Sequence, residues 1–349
     1  YLEFIYGNDN THPLLSEVIA IYIKPQDNKG YIIPINHPEA MNWDKDVVFK
    51  WLEQGKFWVK DKKAALHTHP TLHYTDIQSI HYFHTNTPLL ETYNTSAHTW
   101  YYRKFPQIKA NKIIPLGKHY ERCEARQCEL SQVITQYSSK PYKLYNDKIL
   151  PTLYKLEKES INTNDKFDSH FKLKCKKHSI NENRIYGQYN PYTTTGRPVN
   201  NLGEMVGFSF GEKGVHNELA SIYFGTDKPT PEQYKEGKKL TFQQIYGGIK
   251  SDYLKHEFFE KTQEYIDLNW ELFNAQGYIE TKGGRRIWKK NHENIHKQKL
   301  FNYLIQAYET ETNIECMIKL QEFLNDKGTN FVLYVYDAFG KEIEHYKKR

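Results

Sequence analysis

Residues 234–247 read Tyr-Lys-Glu-Gly-Lys-Lys-Leu-Thr-Phe-Gln-Gln-Ile-Tyr-Gly, with the spacing of a helix that has one chemically distinct face. Lys238, Phe242 and Tyr246 recur at every fourth position, so a helix would place an ammonium group and two aromatic rings on the same side. Gly247 is typical of the residue that closes a helix at its C-terminal end. Such a face suits a nucleoside triphosphate, because lysine attracts phosphate as a point charge while flat rings pack on a sugar and a base. The alternative is a core helix whose lysine extends to solvent.

The composition limits the class of protein. With 349 residues, the chain is long enough for two or three domains and a substantial core. A mean hydropathy of −0.80 predicts neither a membrane span nor a membrane partner. The formal net charge of +6 permits a polyanionic partner without requiring one.

The cysteines and the first residues bear on location and completeness. The four cysteines form no Cys-x-x-Cys pair, so neither a zinc finger nor a disulfide framework is indicated, and a cytoplasmic location is expected. The chain begins Tyr1-Leu2-Glu3, with neither an initiator methionine nor a signal-peptide pattern. We therefore expect the sequence to start inside a longer protein.

The N-terminal third predicts a small sheet followed by helices. Apolar runs at residues 18–23 and 31–35 flank the turn residues Lys29-Gly30 and predict a β-hairpin. A helix is expected from Trp43 to Glu53, and a second, exposed helix is expected over residues 119–136, where charged side chains outnumber apolar ones.

Histidines are concentrated in the same region, with six of them from His67 to His98. Metal binding is the more specific interpretation. Their spacings do not repeat, however, and no cysteine accompanies them, so a polar surface is the preferred prediction.

Six stretches of the remaining sequence have recognisable patterns. The first, at residues 147–159, has the apolar periodicity of a helix. The others are Thr193-Thr-Thr-Gly-Arg197, Val215-His-Asn-Glu-Leu-Ala-Ser-Ile-Tyr-Phe-Gly225, Gly277-Tyr-Ile-Glu-Thr-Lys-Gly-Gly-Arg-Arg286, Lys299-Leu-Phe-Asn-Tyr-Leu-Ile-Gln-Ala-Tyr308 and Thr329-Asn-Phe-Val-Leu-Tyr-Val-Tyr-Asp-Ala-Phe339.

Together with Lys238-x-x-x-Phe-x-x-x-Tyr-Gly247, these stretches resemble, in the same order, the motifs of family A DNA polymerases, those similar to bacterial DNA polymerase I. The resemblance covers roughly residues 145–345 and covers the N-terminal third only loosely. It implies an α+β fold. A right-hand polymerase domain of palm, fingers and thumb is expected at residues 119–349, after an RNase H-like 3′–5′ exonuclease-type domain at residues 1–118. The divergence is typical of a phage or similar mobile element, which would place the protein in the host cytoplasm.

The resemblance implies roles for the residues that would bind a deoxynucleoside triphosphate. Lys238 would neutralise the triphosphate and help pyrophosphate to leave, and Phe242 would pack beside the sugar. Tyr246 would stack near the templating base, and Gly247 would let the template strand pass close. His216 would lie near the incoming triphosphate.

The resemblance also implies contacts with primer-template DNA. The residues concerned are Thr195, Arg197, Arg285, Arg286, Asn302 and Gln306. Arg197 would reach minor-groove acceptors that every correct base pair presents, and the paired arginines would contact backbone phosphates. The two amides are four residues apart on a helix and can both donate and accept hydrogen bonds in the minor groove. A processivity factor or another replication protein would be a further partner.

Catalysis in this family requires two Mg²⁺ ions. Asp337 stands where the family has the central residue of His-Asp-Glu and would be a ligand of both ions, although Tyr336 and Ala338 replace its neighbours. The family's other catalytic aspartate is missing, because no aspartate lies between Arg197 and His216. Omission of a stretch near residues 210–214 is favoured over a catalytically dead protein.

Proofreading is expected to be weak or absent. The related nucleases hold two metal ions with four carboxylates and carry Asp-x-Glu on the first strand, whereas this chain has Tyr1-Leu2-Glu3. Asp61 and Asp76 are the candidates for later acids, without a convincing motif around either. The alternatives to a polymerase are a non-catalytic DNA-binding replication protein with the same fold and a 3′–5′ exonuclease.

Overall fold

The structure is a computed structural model that describes residues 1–7, 12–26, 29–89, 97–105, 113–137, 142–162, 180–181, 184–201, 215–325, 327–335 and 338–343. The chain forms two compact units, one of Tyr1–Glu204 with Thr310–Arg349 and the other of Met205–Glu309. The domain boundary expected at residue 118 remains a prediction. No helix in the described ranges combines the length and the hydrophobicity needed to cross a membrane.

The first unit begins with an antiparallel sheet. Strands β1 (Leu2–Tyr6), β2 (Val18–Ile23) and β3 (Tyr31–Pro34) pair in the order β1-β2-β3, which confirms the predicted hairpin. Strands β4 (Lys56–Val59) and β5 (His73–Asp76) form a parallel pair, and β1 lies beside β4.

Three short helices pack around these strands, and an aspartate caps each of them. Helices α1 (Lys45–Leu52), α2 (Lys62–Thr68) and α3 (Ile77–Thr85) begin after Asp44, Asp61 and Asp76. Each carboxylate accepts a backbone N–H of the first helical turn, as N-cap aspartates do. The apolar sides of β1, β2, α1 and α2 form one hydrophobic core.

Helix α4 (Ala97–Lys104) and the long helix α5 (Leu116–Tyr137) follow. The prediction of an exposed helix at 119–136 was wrong about its environment. Cys123, Leu130 and Val133 are buried, and so is Arg122. The charged side chains concealed this amphipathic pattern, because Arg122 is buried through an ion pair with Glu3.

The rest of the first unit is a tyrosine-rich core. A π-helical turn (Leu144–Ile149) leads into α6 (Leu150–Lys158), which confirms the helix predicted at 147–159. Short strands follow at β6 (Ser160–Asn162), β7 (Ile180–Asn181), β8 (Arg184–Tyr186), β9 (Tyr189–Asn190) and β10 (Val199–Asn200). A late antiparallel hairpin, β13 (Thr329–Val335) with β14 (Ala338–Ile343), completes this unit. Buried rings such as Tyr82 and Tyr145 pack against Leu153, Met317 and Tyr334.

The second unit is mainly helical. It contains α7 (Val215–Phe224), α8 (Pro231–Gly247), α9 (Glu257–Gln276) and a small antiparallel pair, β11 (Tyr278–Glu280) with β12 (Arg286–Trp288). Helix α10 (Lys297–Leu324) starts in this unit and ends in the first. Phe259, Ile266 and Phe273 form the buried side of α9, whereas Leu268 is 56% exposed.

Candidate functional site

Helix α8 is the element that carries the predicted nucleotide-binding residues. It begins with a capping box, in which the Thr230 side chain accepts the Gln233 N–H and the Gln233 side chain accepts the Thr230 N–H. Its buried residues are Gly237, Thr241 and Gln244. The predicted ligand-binding residues lie at other positions, so the helix packs on one face and exposes another.

The buried face of α8 touches α7 at a very short distance. A Cβ atom built on Gly237 would lie 2.7 Å from the Ala220 Cβ and 2.9 Å from its Cα. Only a residue without a side chain fits this contact. The small pair therefore fixes the distance between the helix that carries His216 and the helix that carries Lys238.

The exposed face has the composition that the sequence predicted. Phe242 and Tyr246 are each 39% exposed, and their rings stack at 5.7 Å with an interplanar angle of 12°. The Lys238 Nζ lies 5.8 Å from the centre of the Phe242 ring. The alternative of a core helix with a protruding lysine is therefore wrong, because the rings themselves face solvent.

His216 on α7 completes this face. Its ring meets Phe242 edge-on at 5.4 Å. Partial burial lowers the pKa of His216, and the nearby Lys238 charge lowers it further. The imidazole is therefore neutral at pH 7 and can accept or donate a hydrogen bond without adding charge.

An open pocket of about 640 Å³ lies along this face. Its lining includes Lys235, Lys238 and Lys239 together with Phe242 and Tyr246, and no carboxylate is among the lining residues. A cluster of positive charges raises the local concentration of an anion, and the stacked rings offer a flat apolar surface. The arrangement suits a ligand that has both phosphate and a planar ring.

The structure places the two predicted phosphate-binding arginines differently from each other. Arg285 is only 2% exposed. Arg286 is partly exposed, pairs with Glu280 at 2.6 Å and lies over the Tyr278 ring at 4.6 Å. Of the two, Arg286 is the one whose guanidinium a phosphate can reach.

The predicted minor-groove amides lie together on α10. The Gln306 Nε2 donates to the Asn302 Oδ1 at 2.7 Å, and both side chains are partly exposed. The expectation that both amides face the same way is confirmed. Their role in DNA binding remains a prediction.

Thr195 and Arg197 lie in a tight turn of the first unit. Gly196 has φ +80°, a left-handed conformation that favours glycine, and its N–H donates to the Thr193 carbonyl. The Thr193 hydroxyl donates to the Arg197 carbonyl at 2.9 Å. These bonds fix the backbone on both sides of Arg197, whose side chain is partly exposed.

Asp337, the predicted catalytic and metal-binding residue, lies outside the described residues, as does the stretch at 210–214. The strands on either side of it are described, and Val335 pairs with Ala338 across the β13–β14 hairpin. The roles of Asp337 therefore stay predictions.

A second pocket, of about 230 Å³, lies where β1 approaches β4 and is lined by two of the acids considered for a nuclease site. Glu3 accepts from Arg122 at 3.0 Å, from Arg126 at 2.5 Å and from the Tyr1 hydroxyl at 2.8 Å. Although burial opposes it, Arg126 and Arg122 hold the pKa of Glu3 below its usual value. Two guanidinium groups thus neutralise the carboxylate that a nuclease would use for a metal ion.

The other candidate acids have structural tasks. Asp61 caps α2, and Asp76 accepts from the Lys62 and Ser79 N–H groups and from the Tyr192 hydroxyl. Burial raises the pKa of Asp76 to about 7, and the nearby Asp61 adds to this. Neither acid is arranged as an open metal ligand.

A buried cluster that the sequence did not reveal joins three distant segments. His12, His67 and Glu157 place ligand-type atoms within 4.8 Å of one another, and a group of this kind could hold a metal ion. Lys63, however, already contacts the carboxylate at 2.5 Å, while His67 and the Tyr189 N–H contact it at 2.9 and 2.5 Å. The prediction that the histidines form a polar surface was therefore wrong for His67, which is buried.

The hydrogen bonds of this cluster disfavour a metal ion. The His12 Nδ1 accepts the Leu14 N–H, so its Nε2 carries the proton and donates to the Gly187 carbonyl. Both nitrogens are therefore in use. Adding a divalent cation beside the Lys63 ammonium would bury further positive charge, which costs several kcal/mol per ion.

The fold is a mixed arrangement of helices and sheets that resembles a DNA polymerase domain. The chain is similar to the POL domain of Pol1 from M. smegmatis in complex with DNA primer-template and dNTP, with a TM-score of 0.62 and 14% sequence identity. The match covers 99% of this chain and 89% of that one. No known protein family matches the sequence, and no curated protein does.

Proposed function

We propose that the chain is a template-directed DNA polymerase of family A, which adds deoxynucleotides to a primer 3′ end by two-metal-ion nucleotidyl transfer. The observation that carries the proposal is the exposed face of α8, where Lys238 lies beside the stacked rings of Phe242 and Tyr246. The solved neighbour, the POL domain of Pol1, is described with DNA primer-template and dNTP, which supports the same classes of ligand here.

The proposed nucleotide site uses each group of that face for one part of the substrate. Lys238 neutralises charge on the triphosphate and on the pyrophosphate that leaves. Phe242 packs beside the sugar, and Tyr246 stacks near the templating base. His216, held against Phe242 and neutral, lies near the phosphates and donates a hydrogen bond to them. Gly247 is open, because a Cβ built there meets no atom within 4 Å, so a template strand has room to pass.

The proposed contacts with primer-template DNA involve three groups of side chains. Arg197 reads the minor-groove acceptors common to all correct base pairs, beside Thr195. Arg286 exchanges its bond with Glu280 for a backbone phosphate, while the buried Arg285 supports the turn. Asn302 and Gln306 offer amides that already lie side by side.

Two Mg²⁺ ions would supply the activation of the primer 3′-hydroxyl and the stabilisation of the leaving group. Asp337 is the residue that we propose as their ligand. The only candidate metal group among the described side chains does not fit them, because Mg²⁺ prefers oxygen ligands and water, whereas the His12–His67–Glu157 group is buried and holds Lys63.

Primer extension tests the proposal. With Mg²⁺ and a labelled primer-template, Lys238→Ala should lower kcat/KM for the nucleotide about tenfold to a hundredfold, since a hydrogen bond to a charged group contributes about 1.5–3 kcal/mol. Asp337→Ala should abolish extension. Lys255→Ala is the matched control, because Lys255 is an exposed lysine of the same unit that does not line the pocket.

Two results would contradict the assignment. Unchanged extension by Asp337→Ala would remove the two-metal mechanism, and Lys238→Ala with wild-type kinetics at low nucleotide concentration would remove the phosphate role. A protein that binds primer-template and never extends it would instead be the non-catalytic DNA-binding alternative. The missing aspartate between Arg197 and His216 is the observation that would fit that alternative.

The exonuclease alternative has less support. Glu3 is held by Arg122 and Arg126, and Asp61 and Asp76 cap helices, so these acids are not free to bind two metal ions. We expect no digestion of a mispaired primer 3′ end in the absence of nucleotides. Digestion that Glu3→Ala abolishes would overturn this expectation.

A further inference from the structure

The first unit has a groove that the proposed polymerase site does not use. The groove lies between the end of α1, the start of β4 and one side of α5, and its volume is about 1050 Å³. It shares only Tyr1 with the pocket around Glu3, so it is a separate feature.

Aromatic rings line one side of this groove. Trp51 is 56% exposed, whereas tryptophan side chains are on average largely buried. Phe57 and Trp58 are half-buried beside it. A Cβ on Gly55 would lie 2.4 Å from the tip of the Phe57 ring, so the glycine lets this ring approach the backbone closely. Phe57 and Trp58 each pack against a hydrophobic core, so these two rings are held in place.

The charges of the groove have a single sign. Lys24 and Lys56 are the only charged residues that line it, and no carboxylate does. The Lys24 ammonium is paired with Glu124 at 2.9 Å, so the exposed Lys56 supplies the net positive charge of the groove. Three glutamines, Gln26, Gln54 and Gln127, add amides that can donate and accept hydrogen bonds.

We infer that this groove binds single-stranded DNA. Proteins that bind single strands without sequence preference combine a positive groove with aromatic rings on which bases stack, and this groove has both. Its amides match base edges that are unpaired in a single strand. The inference deepens the proposed function, because a polymerase works on a template whose unpaired part needs a path, but binding at this site requires neither nucleotide nor metal.

The first test measures binding with a fluorescently labelled oligothymidylate of about 12 nucleotides, within the usual site size for such proteins, in buffer without nucleotide or Mg²⁺. Trp51→Ala should weaken binding about tenfold, because one stacked base contributes that much. Lys56→Ala should weaken binding and reduce the salt dependence by about one counterion. Phe323→Ala is the matched control, since Phe323 is 67% exposed in the same unit and does not line the groove. Equal loss with Phe323→Ala and Trp51→Ala would overturn the inference.

The second test locates the bound strand. Cys128 lines the groove and is exposed, while Cys316 is exposed elsewhere in the chain. The oligothymidylate should slow alkylation of Cys128 severalfold and leave Cys316 unchanged, as read by peptide mass spectrometry. Absence of protection at Cys128 would overturn the inference. Protection that grows with protein concentration and needs no DNA would also overturn it and assign the groove to a second copy of the chain.

These tests separate the two proposals. If primer extension fails while Cys128 is still protected by the oligothymidylate, the polymerase proposal falls and the groove remains. If extension responds to Lys238→Ala as expected while Cys128 is not protected, the groove assignment falls alone.

Discussion

Replacing Gly237 by alanine should separate the helices that form the nucleotide face. The new Cβ would lie 2.7 Å from the Ala220 Cβ, about 1 Å closer than a normal carbon–carbon contact. Neither atom can rotate away, because both are attached directly to helical backbone. Overpacking of this kind costs about 1–3 kcal/mol, and we expect the upper end of that range. Alanine regains about 1 kcal/mol of helix propensity, so the net loss should be about 2 kcal/mol.

A double-mutant cycle isolates this contact. Ala220→Gly removes the obstructing methyl group, so Ala220→Gly/Gly237→Ala should restore most of the stability lost in Gly237→Ala, with a coupling energy of about 3 kcal/mol. Urea unfolding gives the overall effect. Hydrogen exchange of peptides from α7 and α8 shows whether the loss is local.

Gly247 provides the control within the same helix. A Cβ at Gly247 meets no atom within 4 Å, so Gly247→Ala should leave stability unchanged or raise it by up to about 1 kcal/mol. If Gly237→Ala is as harmless as Gly247→Ala, the close packing of α7 on α8 is refuted. The explanation for the position of His216 beside Phe242 would then fail as well.

Two more predictions concern the buried cluster of the first unit. Lys63→Met should lower the free energy of unfolding by about 3–5 kcal/mol, because it leaves the Glu157 carboxylate buried without its ammonium partner. Lys63→Met/Glu157→Leu should regain most of that loss in urea unfolding. Equal instability of the single and double variants would contradict this prediction. Burial, and secondarily His67, lowers the pKa of His12 from its ordinary value near 6.5 to about 4. Between these two pH values only the unfolded chain takes up the proton, so the stability that neutral His12 contributes is complete above pH 6.5 and is lost as the pH falls to 4. The loss amounts to at most about 3 kcal/mol. His12→Gln should flatten this part of the pH profile, and a wild-type slope in the variant would contradict the assignment.

The sequence predicted the elements whose pattern is local. The helix around Lys238 followed from residues that recur at every fourth position and from its terminal glycine. The β2–β3 hairpin followed from two apolar runs around a turn. The exposure of Phe242 and Tyr246 could not be deduced in the same way. A stripe of aromatic residues has the same spacing whether it faces the core or solvent, and only Gly237 and Thr241 on the opposite face indicate which side packs.

The features that the sequence missed depend on partners far apart in the chain. Helix α5 was predicted to be exposed because Arg122 was counted as a surface charge, whereas Glu3 on β1 allows it to be buried. His67 was assigned to a polar surface because the histidine spacings do not repeat and no cysteine accompanies them, whereas Glu157 on α6 holds it in the interior. Hydropathy assigns charged residues to the surface and therefore fails for buried charges, because each of them requires a partner that no local pattern identifies.

The contact of Glu157 with Lys63, His67 and the Tyr189 N–H has a consequence for the expression of fragments of this protein. Any fragment that starts after residue 118 would inherit the carboxylate without two of its three partners. In such a fragment, either water would have to reach the Glu157 carboxylate or the surrounding core would have to loosen. Expression of the C-terminal part alone is therefore expected to yield aggregation-prone material, even though every polymerase-like motif would be intact.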